Sequence, residues 1–563
     1  MRVLGIEGTA WAASAALYDD AEDTVFIESD PYQPDSGGIH PREAAEHMGE
    51  AIPQVIQRVL NHAAETADGE GRAVDAAPNE YGIDAVAFSR GPGLGPCLRT
   101  VGTAARAAAQ SLGVPLVGVN HMVAHLEIGR HQSGFDSPVC LNASGANAHL
   151  LGFHNGRYRV LGETMDTGVG NALDKFTRHI GWSHPGGPKV EEAADDGEFI
   201  DLPYVVKGMD FSFSGIMSAA KQAADDGEAI EDICFSLQEH VFGMLTEVAE
   251  RALSLTATDE LVLGGGVGQN ERLQEMLRTM CAERGADFHV PEPRFLRDNA
   301  GMIAVLGAKQ FAVGDTLAIE ASTVDPNFRP DQVPVTWRVD EQSVARGLGA
   351  TTASDGTTTT ASDETTTQRG AEAVVDVLDP AEAGLSLPAR CVRKRRVPKA
   401  YRHPLLDETL RAERTTAEAR LTSQARRAGV PTPLVWDVDP EESTIWFQHV
   451  GTSDLAADLT IEPVRAVGQS LATIHEAGFV HGDPTTRNVR IGDRTWLIDF
   501  GLGFYTGHVE DHAMDLHVFR QSLEATADDP APLCEAVMAG YSEVGRSEVV
   551  DRLATIEDRG RYQ

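Results

Sequence analysis

Apolar and polar positions repeat in a similar order at two places in the first 330 residues. RVLGIEGTAWAASAALYDD (2–20) and PVCLNASGANAHLLGFHNG (138–156) each have an apolar run, a turn with glycine beside serine or threonine, a second apolar run and a polar turn. The pattern predicts two strand-turn-strand units. Their repetition favours two similar halves, at 1–135 and 136–330, although a plain hairpin explains either unit taken alone.

Two further segments run from an apolar strand through glycine into a helical pattern. They are AVAFSRGPGLGPCLRTVGTAARAAAQSLG (85–113) and ELVLGGGVGQNERLQEML (260–277). Glycine lets a ligand approach the backbone, and a helix N-terminus favours anions such as phosphate. These two segments therefore predict an α/β body that binds ligands at the ends of its strands. The second segment can hold a nucleotide, or can be a tight packing turn.

A threonine-rich stretch separates two bodies. Residues 351–367, TTASDGTTTTASDETTT, have no aromatic residue and no aliphatic residue larger than alanine, so they cannot bury a core. We predict a flexible Thr/Ala/Asp-rich linker over 331–370. A second body is expected over 371–563, because an apolar pattern resumes at AEAVVDV.

Composition and charge restrict the environment of the chain. Its 563 residues include 47 Lys and Arg against 85 Asp and Glu, for a net charge of −38. Acid spread along the whole sequence favours a halophile's solvated surface, with an ordinary acidic enzyme as the alternative. No apolar run reaches about 18 residues, no secretory signal opens the chain, and the six cysteines form no CxxC pair. A cytoplasmic protein without a membrane partner is expected.

Two histidines mark a candidate metal site in the first body. His121 and His125 are four residues apart at the start of a predicted helix, so their imidazoles lie on one face and can share a cation. Exposed or packed histidines are the alternative. Asp298 is a candidate third ligand just before another helix. A metallopeptidase needs glutamate next to the first histidine, as in HExxH, and Met122 at that position disfavours it.

Seven motifs in order resemble the archaeal and eukaryotic tRNA threonylcarbamoyltransferase of the KEOPS complex. They are GIHPREAAEHM (38–48), NHMVAH (120–125), DTGVGNALDKFTR (166–178), HPGGPKVEEAA (184–194), KGMDFSFSG (207–215), GGGVGQN (264–270) and RDNAGMIA (297–304). The resemblance covers nearly all of residues 1–330. It implies the duplicated α/β fold of the actin, sugar-kinase and heat-shock ATPase (ASKHA) superfamily.

The resemblance also implies site residues. His121, His125 and Asp298 would ligate one divalent metal, iron or zinc, with iron favoured. Asn142 stands where the family usually has a tyrosine ligand, so a neutral amide oxygen replaces a phenolate beside the metal. The residues that would hold threonylcarbamoyl-AMP are Asn142, Ala143, Ser144, Gly145, Ala146, Asp174, Gly187, Glu191 and Asn270.

The implied reaction moves threonylcarbamoyl from threonylcarbamoyl-AMP to the N6 amine of the adenosine 3′ of the anticodon in tRNAs that read ANN codons. That amine is a poor nucleophile, so the site must polarise the carbamoyl carbonyl and hold both groups in attack geometry. A divalent cation can do both. The implied partners are tRNA and other KEOPS subunits, namely a small dimerising subunit and a kinase-binding subunit.

The second body contains two motifs of a protein-kinase active site. VHGDPTTRNVRI (480–491) has H-G-D-x4-N and WLIDFGLGF (496–504) has D-F-G. Asp483 can accept a hydroxyl proton or orient a nucleophile as the catalytic residue. Asn488 and Asp499 can hold magnesium. Mg-ATP is therefore the second expected cofactor.

The expected ATP-binding residues precede these motifs. Lys394 would contact the phosphates, Glu418 would pair with that lysine, and Gly370 lies in the turn that would cover the nucleotide. This turn lacks GxGxxG, and no A-P-E segment follows DFG. The sequence thus lacks a surface for peptide substrates, which disfavours a signalling Ser/Thr kinase with an ASKHA regulatory module.

Residues 398–421 and 510–519 resemble the small kinase partner of the same KEOPS complex. The resemblance implies a minimal RIO-like kinase domain of α+β fold, a magnesium-dependent ATPase that regulates the transferase in one bifunctional enzyme. The basic segment 389–402 can contact the tRNA backbone, or can form ion pairs with the acidic remainder. Its candidates for tRNA contact are Arg393, Arg395, Arg396, Lys399 and Arg402.

Overall fold

The computed structural model describes residues 1–32, 39–67, 79–145, 147–154, 156–338, 366–379 and 390–559. Ala146 and most of the predicted linker lie outside these residues. Among the helices in the described ranges, none combines the length and the apolar character needed to cross a membrane.

The N-terminal body begins with a five-stranded sheet and its covering helices. The elements are β1 (Arg2–Glu7), β2 (Ala12–Asp19), β3 (Thr24–Pro31), α1 (Pro41–Ala67), β4 (Ala85–Gly91), α2 (Gly95–Leu112), β5 (Leu116–Asn120) and α3 (His121–Ser133). The strand order is β3-β2-β1-β4-β5. The first three strands are antiparallel, and β1, β4 and β5 are parallel.

A second sheet follows in the same body. Its elements are β6 (Val139–Ala143), β7 (Ala148–His154), β8 (Arg157–Glu163), α4 (Val169–His179), α5 (Gly187–Ala194), β9 (Val206–Lys207), β10 (Asp210–Phe211), α6 (Ser214–Asp226), α7 (Ile230–Thr256), β11 (Glu260–Gly264), α8 (Glu271–Arg284), β12 (Asp287–His289), α9 (Pro293–Leu296) and α10 (Ala300–Ala312). The order β8-β7-β6-β11-β12 repeats the first sheet's order and strand directions. Two similar halves of a duplicated chain would produce this topology.

Helices α3 and α10 pack in one apolar cluster with strands of both sheets. Two glycines allow the close approach. A Cβ on Gly5 of β1 would lie 2.4 Å from the carbonyl oxygen of Ala300, and a Cβ on Gly129 of α3 would lie 2.2 Å from Val262 Cγ1. Such distances are well inside van der Waals contact, so larger residues there would push the helices away.

The C-terminal body combines an antiparallel sheet with a helical part. Its elements are β13 (Thr366–Arg369), β14 (Ala373–Leu378), β15 (Cys391–Arg396), α11 (Pro404–Arg427), β16 (Val435–Asp439), β17 (Thr444–Gln448), β18 (Ser453–Asp454), α12 (Ile461–Glu476), β19 (Val489–Ile491), β20 (Thr495–Leu497), α13 (Val509–Thr526), α14 (Ala531–Ser542) and α15 (Ser547–Arg559). The larger sheet has the order β13-β14-β15-β17-β16. Helices α12 to α15 contribute to a separate apolar core.

One strand differs from the expectation for the linker. β13 falls within the predicted linker 331–370, yet its backbone pairs with β14 from Thr366 to Arg369. An edge strand is held mainly by backbone hydrogen bonds to its neighbour and can have few apolar side chains. The polar composition of β13 therefore gave no sign of a strand. At the other end, Val333 and Val335 are buried in the N-terminal body's core.

Candidate metal, adenylate and ATP sites

Three donor groups meet where α3 and α10 begin. Ligand atoms of His121, His125 and Asp298 all lie within 4.8 Å of one another. Asp298 Oδ1 is 3.3 Å from Nε2 of each histidine. Two imidazoles and one carboxylate with open positions suit iron(II), and they also suit zinc. The residues present therefore fit a divalent metal, as the sequence predicts.

Asparagine caps fix the two helices that carry these donors. Asn120 Oδ1 accepts a hydrogen bond from Val123 N at 3.1 Å, so α3 starts at His121. Asn299 Oδ1 accepts from Met302 N at 3.2 Å and starts α10 directly after Asp298. An asparagine cap ends the preceding extended chain at a defined residue. The donors therefore lie at fixed points rather than on free loops.

Glu7 is a site residue that sequence reasoning missed. Its Oε2 lies 3.2 Å from His121 Nδ1, on the side of the ring opposite Asp298, and its side chain is fully buried. Thr9 N and Ser89 Oγ also donate to this carboxylate. A carboxylate on the far nitrogen of a metal-binding histidine fixes the ring's tautomer and orientation. The motif GIEGTA gave no sign of it.

The acidic neighbours control protonation of this cluster. Burial disfavours charge on His121, but Glu7 and Asp298 outweigh burial and raise the pKa of His121 to about 10. Burial also opposes ionisation of Asp298, while the two histidines hold its pKa well below the usual range. A metal must displace the imidazole proton, so its binding releases protons.

Asn142 lies at the end of β6 beside this cluster. Its side chain is buried, and its Oδ1 has no hydrogen-bond partner among the described residues. A Cβ placed on Gly264 would lie 3.4 Å from that oxygen and 3.8 Å from His125 Cβ. Asn142, which the sequence predicts to offer an amide oxygen in place of a phenolate, thus lies close to α3, the helix of His121 and His125.

The predicted adenylate residues begin in the turn after β6. Ser144 Oγ donates to the Asn147 carbonyl at 2.8 Å and closes this turn. The Gly145 carbonyl accepts a hydrogen bond from Asn171 N in the first turn of α4, also at 2.8 Å. A Cβ on Gly170 would lie 2.7 Å from Gly145 Cα, so glycine is needed for this approach. Ala143 ends β6 just before the turn.

The remaining adenylate residues lie on or next to α4, α5 and α8, and hydrogen bonds join these helices. Asp174 Oδ1 accepts from Gly186 N at 2.7 Å, next to Gly187 at the start of α5. Glu191 Oε1 accepts from Glu271 N at 3.0 Å, at the start of α8.

The last adenylate residue is Asn270, whose Oδ1 accepts a hydrogen bond from Leu273 N at 3.1 Å and caps α8. Gly187 and Asn270 thus stand at helix starts, where backbone N–H groups favour anions, while Asp174 and Glu191 lie within α4 and α5. Ala146 is outside the described residues.

The predicted ATP and magnesium residues meet in the C-terminal body. Lys394 Nζ lies 2.9 Å from Glu418 Oε1 and 2.7 Å from Asp499 Oδ1. Asn488 Nδ2 donates to the carbonyl of Asp483 at 2.8 Å and to its Oδ2 at 3.1 Å. Lys394 thus contacts two of its expected neighbours, Glu418 and Asp499, and Asn488 contacts Asp483. Gly370 N donates to the Ala373 carbonyl at 2.9 Å in the β13–β14 turn.

An arginine from the N-terminal body reaches this second site. Arg251 of α7 has Nη1 3.6 Å from Asp483 Oδ2 and Nη2 2.7 Å from Glu247 Oε1. It also pairs with Glu372 in the β13–β14 turn. Burial raises the pKa of Asp483 to about 7, with Arg251 opposing the rise and Asp499 adding to it. No sequence motif indicated this arginine, because the contact joins residues 232 positions apart.

The basic segment 389–402 corrects an expectation. Arg396 Nη2 lies 2.6 Å from Glu418 Oε2, and Lys399 and Arg402 pair at 2.6 Å with Glu250 and Glu247 of α7, respectively. All three are buried, so their expected contact with tRNA is wrong and the ion-pair alternative holds.

Two basic residues remain candidates for contact with tRNA. Arg395 is exposed, and Arg393 is partly exposed beside Asp376.

Comparisons with known proteins match both bodies. A family model for tRNA N6-adenosine threonylcarbamoyltransferase (TsaD) matches residues 23–305. Relatives named "Probable bifunctional tRNA threonylcarbamoyladenosine biosynthesis protein" align along the whole chain. The one from Haloquadratum walsbyi is 65% identical over 563 residues and covers 100% of both chains. Those from Halobacterium salinarum and Methanospirillum hungatei are 65% and 49% identical, each over 100% of this chain and 99% of its own.

The family model therefore assigns the first body, an α/β body with two sheets of the same order, to the threonylcarbamoyltransferase class. The relatives match the second body as well as the first. The chain belongs to the family of bifunctional tRNA threonylcarbamoyladenosine biosynthesis proteins.

Proposed function

We propose that residues 1–330 transfer threonylcarbamoyl from threonylcarbamoyl-AMP to the N6 amine of the adenosine 3′ of the anticodon in tRNAs that read ANN codons. The observation that carries this proposal is the donor cluster of His121, His125 and Asp298, which lies close to Asn142 at the start of the adenylate residues. The repeated sheet topology supports an ASKHA fold for this body.

Each part of the site has a chemical role in the proposal. The carboxylates of Asp174 and Glu191 suit ribose hydroxyls, which donate hydrogen bonds, and the start of α5 at Gly187 suits the phosphate. A bound iron or zinc supplies Lewis-acid polarisation of the carbamoyl carbonyl. The protein residues orient the donor and hold the acceptor amine in attack geometry. Glu7 keeps the His121 ring oriented.

We further propose that residues 371–563 form a minimal kinase-like ATPase that uses Mg-ATP and regulates the transferase. Asp483 would orient the attacking group, Lys394 would contact the phosphates, and Asn488 with Asp499 would hold magnesium. Support for coupling comes from Arg251, which belongs to the first body and lies at Asp483. ATP turnover and the docking of α7 would then share one residue.

The test of the transferase proposal is mass spectrometry of tRNA nucleosides. The purified chain is incubated with tRNA and threonylcarbamoyl-AMP, with the small dimerising and kinase-binding KEOPS subunits added as the proposed partners. We expect threonylcarbamoyladenosine in native reactions and none with His121→Ala, which should also lose the metal. The exposed Asp226 on α6 supplies the control variant Asp226→Ala. Full modification by a metal-free chain would contradict the proposal.

A second assay separates the ATPase from a signalling kinase. Phosphate release and phosphate transfer to added proteins are measured with and without tRNA. We expect hydrolysis to dominate. Robust phosphorylation of many proteins would instead support the signalling role. We also propose a halophilic source on the acidic composition. We propose a cytoplasmic location because the relatives are named for tRNA modification.

A further inference from the structure

His149 is a buried histidine that the proposed mechanism does not use. It lies on β7 directly opposite Asn142 of β6, and the two side chains share one face of the sheet. On that face Cys140 and Leu151 pack in the same cluster as α3, the helix that carries His121 and His125. His149 and Asn142 are only 2% and 4% exposed.

The contact between the pair gives each end of the amide a different environment. Asn142 Nδ2 lies 3.5 Å from His149 Nε2, the long end of hydrogen-bonding distance. Asn142 Oδ1 faces the Gly264–Gly265 turn. A Cβ on Gly265 would lie 2.6 Å from this oxygen.

A neutral imidazole has one nitrogen that accepts a hydrogen bond. If His149 Nε2 accepts from Asn142 Nδ2, the amide oxygen is the end that remains on the side of Gly264 and His125.

Three buried polar atoms in this region have no hydrogen-bond partner among the described residues. They are His125 Nδ1, Asn142 Oδ1 and His149 Nδ1. An unsatisfied buried polar atom costs about 1–3 kcal/mol, so such atoms are seldom grouped without a reason. An amide oxygen is a ligand that a divalent cation can use, whereas an amide nitrogen is not. Which end of Asn142 faces the cluster therefore decides whether it can bind metal.

We propose that His149 is a positioning residue for the transferase metal. Its Nε2 accepts a hydrogen bond from Asn142 Nδ2 and so holds the Asn142 oxygen on the side of His125, where it can serve as an additional neutral ligand. Replacement of His149 by a residue that cannot accept frees the amide to turn over and lose this role. The inference rests on the proposed transferase function, because it needs the metal at His121, His125 and Asp298.

The test is a double-mutant cycle read out as metal affinity in the full chain. Cobalt(II) affinity is measured by competition with a chelator for the native chain, His149→Leu, Asn142→Ala and the double variant. We expect each single variant to bind cobalt about tenfold or more weakly. We expect the double variant to match Asn142→Ala within about twofold, because His149 acts only through Asn142.

A conservative variant and a spectrum separate positioning from a packing role. His149→Gln retains an acceptor oxygen, so its cobalt affinity should stay within about twofold of native. The cobalt absorption spectrum should change in His149→Leu and Asn142→Ala alike, and should be restored in His149→Gln. If His149→Leu does not fold, weak cobalt binding by His149→Gln would still contradict the inference, because that variant retains an acceptor for Asn142 Nδ2.

Two results would overturn the inference: native affinity in Asn142→Ala, or an equal further loss from His149→Leu in the Asn142→Ala background. The second result would make His149 a ligand or a packing residue in its own right. His121→Ala distinguishes this failure from failure of the transferase proposal. If His121→Ala binds cobalt as the native chain does, the metal site itself is wrong, whereas loss of binding there leaves only the His149 inference at stake.

Discussion

Glu7 and Asp298 contact opposite nitrogens of the His121 imidazole. The sequence allowed only some of the residues in this site to be predicted. Helical spacing predicted His121 and His125, because residues four apart on a helix share a face. Glu7 could not be found in this way, since β1 and α3 are separated by more than a hundred residues and meet only through the sheet. Asp483 was predicted from its motif, but its contact with Arg251 was beyond sequence reasoning for the same reason.

Glu7→Gln tests the role of the buried carboxylate. Glutamine has no negative charge, so it holds the His121 ring less firmly in its orientation. The metal affinity should therefore fall about tenfold. Chelator competition with cobalt or zinc measures the change. The exposed Glu46, which pairs with Arg42 on α1, provides the control variant Glu46→Gln. Unchanged affinity in Glu7→Gln would remove Glu7 from the site.

Asp483→Asn tests the second site. Asparagine keeps the size of the side chain and loses its ability to accept a proton, so ATP turnover should drop at least about a hundredfold. Metal content of the first body and the thermal unfolding midpoint should stay near native. Asp493 is exposed, and Asp493→Asn should leave turnover unchanged. Native turnover in Asp483→Asn would deny this residue its proposed role.

Among the elements, the two repeated hairpins could be predicted from the sequence, whereas the contacts between elements could not. The repeated hairpins predicted the halves whose sheets share one topology. Polar composition concealed β13, and nothing in the sequence showed that α7 carries Glu247 and Glu250 to Arg402 and Lys399. Periodicity reports which face of an element is buried, but it does not report which partner covers that face.

Asp210 on β10 makes an element contact sensitive to pH. It is buried opposite α13, and its Oδ1 accepts from Glu163 N at 2.9 Å. Burial, then repulsion by Glu163, raises the pKa of Asp210 to about 8. Burial lowers the pKa of the neighbouring His517 to about 4, so this imidazole is neutral and gives no compensating charge.

A carboxyl whose pKa is higher in the folded chain binds its proton more tightly there. The free energy of unfolding contributed by Asp210 therefore falls as the pH rises from about 4, its unfolded pKa, to about 8. Asp210→Asn keeps an acceptor oxygen and removes this loss. The difference between the free energies of unfolding of Asp210→Asn and of the native chain should be at least about 1.4 kcal/mol larger at pH 8.5 than at pH 5, in favour of the variant.

Urea unfolding at both pH values measures the difference for Asp210→Asn. The exposed Asp226 supplies the control Asp226→Asn, which should follow the native pH dependence. An equal pH dependence in the native chain and in Asp210→Asn would contradict the assigned shift.

For the whole molecule, the net negative charge lies mainly on exposed carboxylates, because the buried basic groups of the described residues are matched by buried acidic ones. The net charge is −38, and several basic groups, Arg251, Arg396, Lys399 and Arg402, are buried in ion pairs rather than exposed. Repulsion between exposed carboxylates acts over about 10 Å at 0.1 M salt and about 3 Å at 1 M. Buried ion pairs between the two bodies are screened much less.

Molar KCl should therefore stabilise the chain without separating its two bodies. The thermal unfolding midpoint should rise steadily from about 0.1 M to about 2 M KCl, because screening removes repulsion at the surface. Sucrose stabilises folded proteins by exclusion and does not screen charge. A parallel series in sucrose should thus give a smaller rise. A midpoint that is highest near 0.1 M KCl would show that surface repulsion does not limit this protein, and that its acidic composition is ordinary.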